Sequence, residues 1–317
     1  MQLILLLLIL LMPGCKRTIT VTHFHGHAHT HPYHIQIGQA LSQKEKESIK
    51  ALLSATFEDI DTFYNHWNPH SELSQVNQLE LGETFTLSPS LLHLIEKAKE
   101  LTTFTEGHFD PTLGSLISAW KSALLKGKLP DSPESIPTGW DLFSFENGEA
   151  KKFSPHAQID LDGFLKGFTI DQITKKLLEK GYANIYVEWG GDIRSVGKHP
   201  SGRNWSISLP NFEKSSIPLT MALATSGNQT QSKEIEGKRY SHIVIPATKE
   251  ACPSLETVSV QAPSALLADA LATALMTFPS IEAVTSYLEL HRESLNEYIV
   301  WIQNNQGETK KWVNDKH

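Results

Sequence analysis

Gln158-Ile159-Asp160-Leu161-Asp162-Gly163-Phe164-Leu165-Lys166-Gly167 carries a strand into a helix. Residues 158–161 read as a strand that delivers Asp160, the chain turns at Gly163, and residues 164–180 read as a helix stopped by Gly181. Residues 183–189 return as a second strand, ended by Gly190-Gly191. This passage suits a phosphate-bearing ligand. Glycine lets a ligand approach the backbone closely, and a helix N-terminus with a lysine in its first turn favours phosphate. An ordinary strand-to-helix turn with a surface pair of Asp160 and Lys166 would use the same residues.

Upstream, residues 42–63 form an amphipathic helix, with Ile49, Leu52, Leu53, Phe57 and Ile60 at helical spacing. Trp67-Asn68-Pro69 breaks it, and Ser71-Glu72-Leu73-Ser74 opens a short helical turn. Ser88 caps a further helix whose buried face carries Leu91, Leu92, Ile95 and Leu101. Gly107 ends that stretch. In Glu106-Gly107-His108-Phe109-Asp110-Pro111-Thr112-Leu113-Gly114, Asp110 precedes proline, a usual way to start a helix, here over residues 113–125. Residues 126–140 are a loop rich in Pro, Gly and Ser. Downstream, residues 205–209, 217–224, 240–245 and 257–262 read as strands, and residues 264–277 as an Ala- and Leu-rich helix. Strands and helices mix without regular βαβ alternation, so the fold class is α+β.

That last helix holds the clearest metal-ligand pattern. Asp269 and Thr273 are four residues apart and share one helical face. Both offer hard oxygen atoms, which suit Mg²⁺ or Ca²⁺ rather than zinc. Their neighbours are small or apolar, so Asp269 should be buried and need a partner. His242, on the strand at 240–245, can serve as a base near neutral pH, although one histidine on a strand is more often a hydrogen-bonded core residue.

The chain has 317 residues with 40% hydrophobic and 20% charged, ordinary for a globular fold with a sizeable core. A net charge of −7 argues against nucleic acid as a partner, since phosphate backbones need a basic surface. The two cysteines, Cys15 and Cys252, make neither a disulfide framework nor a cysteine zinc site. Residues 3–12 are an apolar run too short to span a bilayer, which needs about 20 residues. They read as the core of a signal peptide over residues 1–15, with Cys15 in a lipobox-like position. A lipid there would hold the exported protein to the inner membrane on its periplasmic side.

His23, His25, His27, His29 and His31 fall at every second residue, with His34 nearby. On one strand, expected from residue 18 to residue 37, the first five line one face and can bind Zn²⁺, Ni²⁺ or Cu²⁺. A solvated tether over residues 16–34 is the plainer expectation.

Taken in order, seven short motifs resemble the ApbE family of FAD:protein FMN transferases. They are Asn68-Pro69-His70-Ser71-Glu72-Leu73-Ser74 with Asn77; Gly107-His108-Phe109-Asp110-Pro111-Thr112-Leu113-Gly114; Asp160-Leu161 with Lys166-Gly167; Gly190-Gly191-Asp192-Ile193; Ala224-Thr225-Ser226-Gly227; His242-Ile243; and Ala268-Asp269-Ala270-Leu271-Ala272-Thr273. The resemblance implies a flavin-transferase domain over residues 35–317, with a mixed, largely antiparallel sheet and flanking helices. It implies Mg²⁺ held by the Gly163 carbonyl, Asp269 and Thr273. It implies FAD contacts from His29, Trp67, His108, Phe109, Asp110, Asp160, Lys166 and Ile243, with Lys166 and His242 assisting the chemistry. The implied reaction moves FMN from FAD to a threonine hydroxyl and releases AMP. Implied acceptors are flavin-carrying subunits of a Na⁺-translocating NADH:quinone reductase or related electron-transfer proteins. A FAD pyrophosphatase, or a flavin- or metal-binding lipoprotein without catalysis, fits the same residues. The chain departs from the family pattern at Ile245-Pro246-Ala247-Thr248-Lys249, where Asp-Pro-Arg-Thr-Gly is usual. It departs also at His29-Thr30-His31 in place of Met-Gly-Thr, and at Asp162 in place of a small neutral residue.

Overall fold

The computed structural model describes residues 20–209, 211–213, 216–228, 232–251 and 253–314. The signal segment, Cys15 and Cys252 lie outside the described residues. The chain begins with a hairpin, β1 (Thr22–Ala28) and β2 (His31–Ile37), and runs into α1 (Gln43–Phe63), α2 (Glu72–Gln78), β3 (Phe85–Thr86), α3 (Pro89–Phe104) and α4 (Gly114–Leu125). Then come β4 (Phe143–Ser144), β5 (Glu149–Lys152), α5 (Asp162–Glu179), β6 (Ile185–Trp189), β7 (Asp192–Val196), β8 (Trp205–Ile207) and β9 (Ile217–Leu219). The rest is β10 (Ala222–Gly227), β11 (Ser232–Ile235), β12 (Lys238–Ser241), β13 (Leu255–Ala262), α6 (Ala265–Leu275), α7 (Ile281–Leu290), β14 (Ile299–Asn304) and β15 (Thr309–Val313).

Eight strands make the main sheet, in the order β1-β2-β6-β7-β10-β13-β14-β15. Its ladders are antiparallel throughout, which bears out the α+β expectation. Among the described residues the single parallel pairing is an isolated bridge between Leu113 and Gln158. Helices α1 and α5 pack their apolar stripes on the β1-β2-β6 end, where Ile49, Leu53 and Phe57 meet Ile35, Ile170 and Val187. Helices α6 and α7 cover β13 and β14 through Leu271, Leu275 and Val284. The ribbon of β8 and β9 lies against Leu223 and Trp301.

Local signals set the helix starts. Ser42 and Glu45 form a reciprocal capping box at α1, and Ser71, Ser88 and Ser264 each accept a backbone N–H at the starts of α2, α3 and α6.

Five expectations need correction. The strand expected over residues 18–37 is a hairpin, because His29 and Thr30 take positive φ (46° and 70°) and reverse the chain. The boundary expected between residues 34 and 35 therefore falls inside β2. Residues 158–161 are not a ladder strand. Instead the Asn77 side chain donates to the Ile159 carbonyl (2.9 Å) and accepts from its N–H (2.8 Å), taking a strand's place. The run over 217–224 is two strands, since β9 pairs with β8 while β10 enters the main sheet. β12 stops at Ser241, whose hydroxyl accepts from the Ile243 N–H (3.1 Å), so His242 sits past the strand rather than on it. The chain does turn at Asp110-Pro111 ahead of α4, where the Asp110 carboxylate accepts from the N–H and hydroxyl of Thr112.

The tightest packing is the crossing of α5 over α6. A Cβ added at Gly167 would stand 2.1 Å from the Ala265 carbonyl oxygen and 2.5 Å from its carbon, both backbone atoms. Gly167→Ala should therefore cost about 2 kcal/mol or more by overpacking, seen as a lowered urea midpoint. A midpoint within error of the parent would show that the helices do not need this approach.

Candidate functional site

The α5–α6 crossing fixes the centre of the site. Asp171 on α5 accepts from the first N–H groups of α6, at Ala265 and Leu266, each at 3.0 Å, and also pairs with Arg194 of β7. That carboxylate favours the positive end of α6 and sets its direction. One helical turn on, Asp269 accepts from the Gly167 N–H (3.0 Å). Its second oxygen lies 3.5 Å from the Lys166 ammonium, which also pairs closely with Asp192. Asp192 in turn accepts from the Thr225 N–H (3.2 Å). A helix, a strand and a second helix thus bring two buried carboxylates to one lysine.

Burial pushes the Asp269 carboxyl up, against the pull of Lys166 and with the help of Asp192, to about 7. Burial acts to lower the Lys166 ammonium, but Asp192 and Asp269 outweigh it and hold it above its usual value. Four residues along α6, Thr273 donates to the Gly163 carbonyl (3.1 Å) and lies 3.2 Å from the Ser226 hydroxyl. The start of α5 is packed closely here, since a Cβ on Gly163 would come 3.1 Å from Phe109 and 3.3 Å from Thr273. The Gly163 carbonyl, the Thr273 hydroxyl and one Asp269 oxygen are hard donors on one wall, and a Mg²⁺ ion fits that donor set.

A cleft of about 950 Å³ opens above this wall. His29, Trp67, His108, Phe109, Asp110, Asp160, Gly163, Lys166, His242, Ile243, Asp269 and Thr273 all line it, so the structure brings every expected site residue together. Their settings differ. Phe109 and Ile243 are buried and present only an edge. Trp67 is 61% exposed at the rim, where its indole N–H donates to Asp162 (3.0 Å) and the Lys121 ammonium lies 4.7 Å from its ring centre. His108 stacks on Phe278 at 3.7 Å, with Nδ1 2.7 Å from the Thr277 hydroxyl, and burial lowers its pKa. Burial raises Asp110 despite its bonds from Thr112. Burial and then Asp162 raise Asp160. His29, in the hairpin turn, has Nε2 3.1 Å from the Phe57 carbonyl oxygen and Nδ1 3.7 Å from Asp61.

Two groups escaped the sequence. Asp171 carries no motif, and only the structure shows it capping α6. His66 Nδ1 lies 3.6 Å from both Asp160 and Asp162, a grouping made by residues 94 or more apart in the chain. Gly190 ends β6 at the edge of the cleft. It has φ +60°, and a Cβ there would crowd His31 and Lys166, so it holds the loop against the cleft floor.

Residues 29–299 match the ApbE family. The chain is 38% identical over 260 residues to an FAD:protein FMN transferase of Chlamydia muridarum, covering 78% of this chain and 81% of that protein. It is 29% identical over 288 residues to an FAD:protein FMN transferase of Vibrio cholerae, covering 84% of each. Among solved structures, the fold is similar to the flavin transferase ApbE from Vibrio cholerae, with a TM-score of 0.77 at 26% identity over 93% of this chain and 97% of that one. It is similar also to the apo flavinyl transferase ApbE of Pseudomonas stutzeri, with a TM-score of 0.80 at 23% identity over 92% and 95% of the two chains.

The lysine between the two carboxylates gives a direct stability test. Lys166→Met leaves Asp192 and Asp269 buried without a counter-charge, and should cost about 3 kcal/mol at pH 8. Asp269, which burial already raises, loses the ammonium that draws it down, so its folded-state pKa stays above its unfolded one. The folded state takes up protons, so stability is greatest at low pH and falls as pH rises through the folded values. Denaturant unfolding should therefore show the deficit shrinking as pH drops from 8 toward 5. A deficit independent of pH would contradict this charge arrangement.

Proposed function

The chain belongs to the ApbE family, and we propose that it is a transferase that moves FMN from FAD to a threonine hydroxyl of an acceptor protein, releasing AMP, with Mg²⁺ required. Its likeness to FAD:protein FMN transferases along four-fifths of their length supports transfer from FAD to a protein. The observation that carries the finer reading is the meeting of Gly163, Asp269 and Thr273 on one wall of a cleft large enough for a dinucleotide.

The acceptor hydroxyl oxygen attacks the FMN-side phosphorus, and the bond from that phosphorus to the bridging oxygen breaks, so that AMP leaves with the bridging oxygen. Bound at Gly163, Asp269 and Thr273, Mg²⁺ would supply neutralising charge to the pyrophosphate. Lys166 adds a fixed positive charge, since two carboxylates hold its ammonium in place. His242 faces the cleft and is the candidate to take the hydroxyl proton. His108 and Trp67 offer aromatic faces at separate points of the wall, suited to the flat rings of FAD.

The proposed location is the periplasmic side of the inner membrane, with a lipid on Cys15 as the anchor. The apolar run at residues 3–12 ahead of that cysteine supports it. The proposed acceptor class is flavin-carrying subunits of electron-transfer complexes such as the Na⁺-translocating NADH:quinone reductase.

The test is incubation with FAD, Mg²⁺ and a threonine-bearing acceptor, followed by a denaturing gel. Flavin fluorescence should stay on the acceptor band and vanish when the acceptor threonine is changed to valine. Asp269→Asn should lower the labelling rate by about a hundredfold or more, the scale of losing a charge-stabilising contact, while the protein stays folded by circular dichroism. Free FMN and AMP with no labelled acceptor would instead establish FAD hydrolysis. Unchanged labelling by Asp269→Asn would remove the metal site from the reaction.

A further inference from the structure

The outer face of the β1–β2 hairpin carries histidines that the transfer reaction does not use. Alternation along β1 puts His23 and His25 on the exposed face, while Phe24 points into the core. The antiparallel register sets His34 of β2 directly across from His25, so their side chains share that face. The three rings stack, with centres 4.1 Å apart for His25 and His34 and 5.3 Å for His23 and His34. His23 Nδ1 lies 3.0 Å from His34 Nε2.

We propose that His23, His25 and His34 form a surface site for a divalent transition metal of the class that prefers imidazole: Zn²⁺, Cu²⁺ or Ni²⁺.

Geometry supports this. One ligand nitrogen from each ring lies within 4.8 Å of the others. A tetrahedral Zn²⁺ with Zn–N distances of about 2.0–2.1 Å holds its nitrogens about 3.3 Å apart. The closest pair is already near that spacing. Rotation about χ2, a soft torsion for histidine, turns the remaining nitrogen inward without moving the backbone. The scaffold is stiff where it needs to be, because β2 is held on both edges, by β1 and by β6. The register of β6 sets Glu188 across from His34, so an acidic residue stands beside the three rings.

The alternating run suggested a different set. The turn at His29 and Thr30 takes His29 and His31 to the cleft, and His34 joins His23 and His25 in their stead. An ion here would clamp β1 to β2 at one end of the hairpin, while the other end lines the FAD cleft. The three ligands proposed here are imidazole nitrogens, which Mg²⁺ disfavours, so the two metal sites should be independent.

Titration calorimetry and thermal unfolding of the untagged protein with ZnCl₂, in excess MgCl₂, test the assignment. One Zn²⁺ per chain should bind saturably and raise the melting temperature. His25→Gln and His34→Gln should each weaken binding about tenfold or more and abolish the thermal shift. His27→Gln, on the same face but outside the cluster, should bind as the parent does. Flavin labelling by the His25→Gln variant should be unchanged. No saturable Zn²⁺ binding, or binding that survives both the His25 and His34 changes, overturns the proposal. Equal loss on changing His27 overturns the three-residue set.

Discussion

At the crossing of α5 and α6 the backbone of Ala265 occupies the space that a side chain on residue 167 would need. Glycine is the one residue that admits this approach. Because the helices meet there, the Gly167 N–H reaches Asp269, and Asp269 faces Lys166. The same contact sets α6 in rotation, so that Thr273, one turn further on, meets the Gly163 carbonyl at the start of α5. Asp171 closes the arrangement from the other side by holding the first amides of α6. The site follows from helix packing first and from loop conformation second.

The charges at this crossing do not balance. Two buried carboxylates share one lysine, and the closer contact goes to Asp192. Asp269 keeps one oxygen on the Gly167 amide and the other at 3.5 Å from the ammonium, which is a weak claim on a buried acid. Burial, with Asp192 nearby, raises its pKa to about 7 even though Lys166 pulls it down. A divalent cation beside Asp269 would add the balancing positive charge, and the phosphates of a bound dinucleotide would complete its oxygen shell. A magnesium ion would supply that charge to the proposed phosphoryl transfer.

Much of the site was readable because its residues lie in short local motifs. Asp269 and Thr273 stand one helical turn apart, and the small residues around them announce a closely packed helix. Ser42, Ser71, Ser88 and Ser264 marked helix starts because capping is a local interaction. What escaped depends on distant partners. Residues 158–161 have the composition of a strand, yet the backbone of Ile159 bonds to the side chain of Asn77 and that of Asp160 to the Pro111 carbonyl. The histidine run looked like one strand because alternation does not reveal a reversal at two non-glycine residues with positive φ. His66 has no local signal at all, since it meets Asp160 and Asp162 only through the fold. At Lys249, where the family has glycine, φ is +58°. That is a conformation glycine adopts without strain, and the lysine ammonium donates to the carbonyls of Glu134 and Ile136 in the segment between α4 and β4.

Locating the ion would decide the matter. Crystals grown with MnCl₂ and a non-hydrolysable FAD analogue, measured at the manganese absorption edge, should show one strong anomalous peak within bonding distance of the Gly163 carbonyl, Asp269 and Thr273. A cleft that holds the dinucleotide with no peak at those three groups, or with the ion gathered instead by His66, Asp160 and Asp162, would contradict the account.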